Sequence, residues 1–356
     1  MTDRYRLVVL FGGQSAEHDV SCVTARHVLE AVSPDRFAVD AIGITRSGQW
    51  VRSDSLAQVG DRQPLALPPA LEASGPAIEP AEAIAADDLP VVVLPLLHGP
   101  MGEDGTVQGL LDLANVPYVG AGVLGSALCM DKAMAKTAAA AAGIAQVEWR
   151  AVHANDVTGL TAAALREELG NVVFVKPANM GSSVGVSRAS TSDELADALA
   201  TAATYDEWIV IESAVSAREI EVGVLGNRRL EASVAGEIVP GDDFYSYDDK
   251  YHDGVAQTLI PADLTADQAA EVQALAARAG EALRVQGLAR VDFFFEENGR
   301  GFLLNEINTM PGFTPISMFP KLWAASGLSY PALIDRLVDL AIERHETRLA
   351  HRSTKH

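Results

Sequence analysis

Four polar side chains interrupt two otherwise apolar segments toward the C-terminal end: Arg290 and Asp292 in GLARVDFFFEE, and Glu306 and Asn308 in GFLLNEINT. Read as strands, 291–295 and 301–304 are joined by a turn at Asn298-Gly299, a dipeptide suited to tight hairpins because both residues tolerate positive φ. Alternation places Arg290 with Asp292 on one face of the first strand and Glu306 with Asn308 on one face of the second. Folding about Asn298-Gly299 brings Asp292 within a residue of opposite Glu306, so two carboxylates and an amide oxygen converge. An all-oxygen set suits a hard divalent cation, Mg2+ first, which keeps several waters and shares its shell with substrate phosphates. Arg290 beside it could hold a phosphate or a developing oxyanion. Any single Asp or Glu is more simply a solvated surface charge; four polar groups embedded in apolar strands argue for a site. Pro311 and Gly312 then end regular pairing, so the site opens onto a loop.

Other candidates lie upstream. Lys176-Pro177 ends an apolar segment and is followed by ANMGSSVGV, whose small hydroxyl and glycine residues offer free N–H groups beside a lysine, a cradle for phosphate oxygens. Walker spacing is absent, and a plain Gly/Ser loop has the same composition. WIVIE, 208–212, is a strand ending in the carboxylate of Glu212, and Glu219 opens the next; a strand edge followed by an acid is what an adenosine pocket offers. Gly236 to Asp253 is a polar, aromatic-rich loop of functional length, with Lys250 and Tyr251 its chemical groups. Glu17 is either a favourable first-turn acid or a ligand, the two readings standing level. His98 is a candidate substrate contact, although a lone histidine is more often structural.

The elements that must position these groups are legible in outline. RLVVLF, a glycine loop from Gly12, and a helix over 20–32 open a doubly wound α/β unit, without the GxGxxG spacing of a dinucleotide site. Strands are expected at 38–44, 91–97 and 116–119, with a helix over 107–114. The Ala-, Pro- and acid-rich stretch 53–88 reads as a peripheral insertion. Both the first glycine loop and the His98 loop follow strands, at the carboxyl edge where open α/β sheets bind ligands. An alanine-rich helix from Asp131, strands at 172–175 and 219–225, and helices over 194–201, 266–283 and 330–346 follow.

The formal net charge of −21 argues against nucleic acid and anionic membranes as partners. Two cysteines, Cys22 and Cys129, are too few for a disulfide framework or a zinc site, and the expected location is cytoplasmic.

In chain order, GGQSAEHDVS, HGPMGEDGTVQG, MDKAMAK, FVKPANMGSSVGVS, DDKYHD, ARVDFFF and NEINTMPGFTPIS resemble the ATP-grasp superfamily and, within it, the D-alanine:D-alanine ligases, over nearly the whole chain. The resemblance implies an N-terminal doubly wound parallel sheet, 1–130, followed by an ATP-grasp fold of two α+β subdomains, 131–225 and 226–356, the last carrying the lid loop and the metal hairpin. The implied reaction joins two D-alanine molecules through a D-alanyl phosphate at the expense of ATP, for peptidoglycan and the cell wall. By the same resemblance Lys132, Lys176, Ser182, Ser183 and Lys250 contact ATP phosphates. Glu212 and the backbone of Val215 bind adenine, and Glu219 holds the ribose. Asp292, Glu306 and Asn308 ligate two Mg2+ or Mn2+ ions. Glu17, near His98, pairs with the ammonium of the first D-alanine, and Arg290 with the Gly312 N–H stabilises the oxyanion. Lys250, Ser317 and the Met318 N–H receive the second carboxylate, while Glu17, Ser182 and Tyr251 latch the lid. A homodimer is implied.

Two departures stand out: Ser213 replaces a lysine common in the family after Glu212, and Asn179-Met180 replace an Arg-Glu pair before Gly181. The alternatives are D-lactate or D-serine as acceptor, or a nucleotide-binding regulator without turnover. Tyr251 fits an amine acceptor.

Overall fold

A computed structural model describes residues 4–53, 69–239 and 257–353. The first sheet holds β1 (Tyr5–Gly12), β2 (Phe37–Ile44), β3 (Trp50–Arg52) and β4 (Val91–Pro95), in the order β3-β2-β1-β4. β1 pairs in parallel with β2 and β4, and α1 (His18–Ala31) supplies the first crossover. Leu7, Val9 and Phe11 enter one core while Val8 and Leu10 enter another, so β1 is buried on both faces and reads as an unbroken apolar run.

Two expectations for this region need correction. The stretch 116–119 is not a strand: Tyr118 makes a single parallel bridge to Val93. Pro117 has no N–H to give, and Gly120 at φ +103° turns the chain away. The supposed insertion is not peripheral where it is described, from residue 69 on. It carries α2 (Pro80–Ala83), and its Leu71 and Ile84, each 2% exposed, belong to the cores on opposite faces of the sheet. Then come α3 (Thr106–Leu113), α4 (Val123–Met130) and α5 (Lys132–Ala141), the last capped by Asp131, which accepts the N–H of Met134.

The second sheet, ordered β5-β8-β6-β7, is antiparallel: β5 (Trp149–His153), β6 (Val173–Pro177), β7 (Ser187–Ala189) and β8 (Trp208–Ser213). α6 (Ala162–Leu169) and α7 (Ser192–Ala203) cover one face and give it a core of its own, with Leu165, Leu195 and Leu199 against Ile209 and Ile211.

The third sheet, β11-β10-β9-β12-β13, joins β9 (Arg218–Gly226), β10 (Glu231–Val239), β11 (Gln257–Leu259), β12 (Gly287–Glu296) and β13 (Gly301–Asn308). α8 (Ala266–Ala282) packs Val272, Ala276 and Ala279 on the face formed by Val222, Val291 and Phe293. α9 (Met318–Ala325) covers part of the opposite face, where an added side chain at Gly223 would strike Trp323 and Phe319. The chain passes from the second sheet to the third between Ser213 and Arg218, whereas the expected boundary after 225 falls at the end of β9. The expected loop 236–253 begins as strand, since residues through Val239 belong to β10; Lys250 and Tyr251 lie outside the described residues.

The first and third sheets share one core. Residues of β1 and α1 meet Leu288, Met310, Phe313, Phe319 and Trp323, with α10 (Tyr330–Ser353) adding Leu333, Leu337 and Val338. The seam is also polar. Gly287, at φ +74°, lets the start of β12 touch Gly120, whose carbonyl oxygen would lie 3.0 Å from a Cβ at that position. Arg344 of α10, 4% exposed, donates to the carbonyls of Tyr118, at 2.7 Å, and Gly120, and lies 4.2 Å from the Tyr118 ring centroid. Burial lowers its pKa, yet the two carbonyls and the ring face give the charge a place to reside. We expect Arg344→Met to cost roughly 3 kcal/mol, because two buried carbonyls lose a charged donor. Urea unfolding of the variant measures this, and a loss below about 1 kcal/mol would show that the carbonyls find other partners.

Candidate active site

The hairpin of β12 and β13 positions the proposed cation ligands. Its loop has four residues, 297–300, rather than a two-residue turn, and a bulge after Asp292 leaves Asn305 unpaired. Asp292 is directly opposite Glu306, and Arg290 directly opposite Asn308, so all four share one face as expected. The third strand extends the row, because Glu221 of β9 is the partner of Asp292 on its other side. Three carboxylates therefore stand abreast on β9, β12 and β13.

Asp292 is 7% exposed and bound by Arg290 through two bonds, Nε to Oδ1 at 2.8 Å and Nη2 to Oδ2 at 2.7 Å; Asn308 Nδ2 adds a bond to Oδ2 at 2.9 Å. Arg290 Nε also lies 3.1 Å from Glu221 Oε2. Burial would lower the pKa of Arg290, but Asp292 and Glu221 outweigh it and hold the pKa well above the usual value. With Nδ2 of Asn308 turned to Asp292, its amide oxygen is left as the acceptor. The donor set is thus two carboxylates on adjacent strands and an amide oxygen beside them, which fits Mg2+ or Mn2+.

The facing wall comes from the second sheet. Glu212, 3% exposed, lies between two lysines: Lys176 Nζ is 2.6 Å from Oε2 and Lys136 Nζ 2.9 Å from Oε1. Burial would raise the Glu212 pKa, but the two ammonium groups prevail and hold it at about 2. Lys176 is likewise raised, burial being outweighed by Glu212 and then by Glu306 and Glu219, so the second sheet presents its charge to the acidic face of the third. Both Glu212 oxygens are engaged in ion pairs, so a contact with an adenine amino group would be an additional bond on an occupied oxygen. Lys132 Nζ donates to the Met180 carbonyl at 2.6 Å, and its N–H to Ala178 at 3.0 Å, which ties the start of α5 to the Gly/Ser loop. In that loop Ser182 and Ser183 have φ of +49° and +59°, a conformation that non-glycine residues adopt at a cost.

The first sheet closes the third side. Ser182 Oγ donates to Glu17 Oε1 at 2.5 Å, and a Cβ at Gly181 would lie 3.2 Å from Glu17 Oε2. His98 Nδ1 donates to the Met310 carbonyl at 3.0 Å, which fixes its tautomer and leaves Nε2, buried without a hydrogen-bond partner among the described residues, as an acceptor. Glu103 accepts from the N–H groups of Gly99, at 2.7 Å, and Met310, at 3.3 Å. Burial, with Glu17 and Glu306 nearby, pushes its carboxyl up to about 8 against those two N–H groups. Both ends of the Met310 peptide are thereby gripped by the loop after β4. Beyond it Gly312 approaches Ser317, whose Oγ would lie 3.1 Å from a Cβ there. Ser317 is the N-cap residue of α9, but its hydroxyl pairs with Thr314, so the first N–H groups of the helix, Met318 included, can face an anion.

Of the sequence-derived residues, the fold brings Glu17 to Ser182, Lys176 to Glu212, and Arg290 to Asp292 and Asn308, with Glu306 beside them. Glu219 stands on the same face of β9 as Glu221, opposite Phe294, and Val215 lies between β8 and β9. Sequence reasoning passed over Lys136, Glu103 and Glu221. Lys136 is one helical turn beyond Lys132, and Glu221 is one strand repeat beyond Glu219; these spacings were the available signals.

The chain matches the family model described as D-ala D-ala ligase N-terminus over residues 6–121 and that described as D-ala D-ala ligase C-terminus over residues 138–339. It is 45% identical over 357 residues to a D-alanine--D-alanine ligase from Thermoanaerobacter sp. (strain X514), covering 97% of this chain and 99% of the relative. It is 47% identical over 350 residues to that of Geobacillus kaustophilus (strain HTA426), covering 96% and 95%. Among solved structures, the D-alanine-D-alanine ligase from Coxiella burnetii superposes with a TM-score of 0.81 at 33% identity, covering 99% of each chain. The VanG D-Ala:D-Ser ligase from Enterococcus faecalis does so at 0.81 and 30% identity, covering 95% of this chain and 100% of that one.

Because the Glu212 pKa is depressed to about 2, its ion pairs contribute stability that is complete above the unfolded value near 4.3 and is lost as pH falls toward 2. Glu212→Gln should therefore cost on the order of 3 kcal/mol at pH 7 and progressively less below about pH 4. Unfolding of both proteins across pH 3 to 7 checks this, and a pH-independent gap would contradict it.

Proposed function

Since the chain belongs to the D-alanine–D-alanine ligase family, we propose that it joins two D-alanine molecules at the expense of ATP for peptidoglycan synthesis, by the roles that follow. The observation that carries the assignment is the direct pairing of Asp292 with Glu306 beside Arg290, across from Lys176. Lys132, Lys176 and the Ser182–Ser183 loop hold the ATP phosphates, with Glu212 keeping Lys176 in place. Val215 and Glu212 face adenine, and Glu219 holds the ribose. Bound at Asp292, Glu306 and Asn308, two Mg2+ or Mn2+ ions supply neutralisation of the phosphate charge.

Glu17 takes the ammonium of the first D-alanine, with His98 Nε2 as a neighbouring acceptor. The free carboxylate then attacks the γ-phosphorus: a carboxyl O–P bond forms, the bond to the bridging oxygen breaks, and ADP and D-alanyl phosphate result. The second D-alanine is held by its carboxylate at Lys250, Ser317 and the Met318 N–H. Its neutral amine attacks the acyl carbon, the amine's proton passes to a phosphate oxygen, and inorganic phosphate leaves with the C–O electron pair. Arg290 and the Gly312 N–H meet the negative charge that develops on the carbonyl oxygen. Tyr251, which lies outside the described residues, is assigned with Glu17 and Ser182 to the exclusion of water while the acyl phosphate exists.

Three functional units are proposed, 1–130, 131–225 and 226–356. The reaction draws on ATP and is assigned to the cytoplasm; no helix among the described residues is long and apolar enough to cross a membrane. A second copy of the chain is the proposed partner, and Leu113 and Leu124, 90% and 62% exposed on α3 and α4, offer it apolar surface. Sedimentation velocity should give a dimer, and a monomer at micromolar concentration would refute this.

ADP release measured with D-alanine, D-serine, D-lactate and L-alanine tests the main assignment. D-alanine should be the preferred acceptor, and Glu306→Ala should lower its turnover at least 10³-fold, because uncompensated phosphate charge raises the barrier by about 4 kcal/mol or more. Equal rates with D-serine or D-lactate would reassign the acceptor, and near-normal activity of Glu306→Ala would displace the cation site.

A further inference from the structure

Glu221 has no role in the reaction as set out so far, yet it is 8% exposed on the polar face of the third sheet. Its partner on β10 is Gly236, where an added side chain would meet Met318 and Leu322, so the start of α9 descends onto the sheet beside Glu221 and shields it. Its partner on β12 is Asp292. Arg290, two residues earlier on the same face of β12, lies against both acids: Nε donates its one N–H to Asp292 Oδ1 at 2.8 Å and forms an ion pair with Glu221 Oε2 at 3.1 Å without a hydrogen bond. The row therefore reads Glu221, Asp292, Glu306, with the guanidinium between the first two and the proposed cation site between the last two.

This order creates a conflict at Asp292. Both of its oxygens are committed to Arg290, and Oδ2 also accepts from Asn308. A divalent cation needs those same oxygens, and it repels the guanidinium. Arg290 can stay aimed at the substrate only if another anion on the side away from the cation holds it. Glu221 is a carboxylate in contact with Arg290 from the β9 side, across from Asp292.

We infer that Glu221 is the positioning residue of Arg290: it holds the guanidinium from the β9 side and so releases the Asp292 carboxylate to the cation. The inference rests on the reading of Asp292, Glu306 and Asn308 as cation ligands. Glu221 touches no reacting atom itself and acts through Arg290.

The test is Mn2+ titrated into the full-length protein saturated with a non-hydrolysable ATP analogue, with free Mn2+ read by electron paramagnetic resonance. Glu221→Gln should weaken Mn2+ about 10-fold, because Arg290 then clings to Asp292. In an Arg290→Gln background the same change should not weaken Mn2+ further. Steady-state ADP release should show kcat down about 10-fold with the KM for ATP within about 2-fold, and Glu221→Asp should recover part of the loss. Thermal unfolding checks that the variants fold, and if the Gln variant does not, the Asp variant carries the comparison. Mn2+ affinity and kcat within 2-fold of the parent would overturn the inference. So would an equal loss of Mn2+ affinity in both backgrounds, which would mean that Glu221 acts on the cation without Arg290. A parent protein that releases no ADP with D-alanine would sink the functional reading while leaving the Mn2+ comparison intact.

Discussion

Like charges set directly opposite one another across a β-sheet repel, and the third sheet places Glu221, Asp292 and Glu306 on a single row. At 4 Å and an effective dielectric constant near 20, two such charges interact with about 4 kcal/mol, too much for a largely buried row to tolerate uncompensated. Positive charge must therefore be interleaved. The chain supplies Arg290 within the row and Lys176 from the facing sheet, and the paired Asp292 and Glu306 suit a divalent cation and the phosphates it accompanies. The acidic face and its basic counterparts belong to different sheets, so neither wall makes chemical sense alone.

The distribution of apolar cohesion explains where the cleft lies. The first and third sheets are fused by a common core and by Arg344 gripping the carbonyls at Tyr118 and Gly120. The second sheet keeps a separate core and meets the others around the cleft through polar ties: Ser182 to Glu17 across to the first sheet, and Arg300 of the hairpin loop to Glu148. Charged substrates need a seam where polar groups rather than aliphatic side chains face each other, and this is the seam the packing leaves open.

Met310 links the third side to the first. Its peptide is held by His98 at the carbonyl and Glu103 at the N–H, so the loop after β4 sets the position of the segment leading to Gly312. Burial beside Glu17 raises the pKa of Glu103, so the grip on Met310 is made where negative charge is disfavoured.

The sequence by itself determined what is periodic or local. RLVVLF read as a strand opening a doubly wound α/β unit, and the two-residue spacing of Arg290 with Asp292 and of Glu306 with Asn308 assigned each pair to one face, which the register bears out. Local chemistry also marked Lys176 and the Gly/Ser loop, while Glu17 stood level between a first-turn acid and a ligand. What only the tertiary structure decided is which charges face which. Glu212 reads as the acid at a strand end, but the fold packs α5 against that strand and places Lys136 on it, four residues beyond the lysine that the family resemblance singled out. Glu221 looks like one of two alternating acids on β9 until the strand order sets it beside Asp292. The bulge at Asn305 and the burial of Leu71 and Ile84 were likewise hidden. Alternation along a strand is fixed by its own backbone, whereas the neighbour across a sheet or a cleft is fixed by strand order and core packing, which are properties of the whole chain.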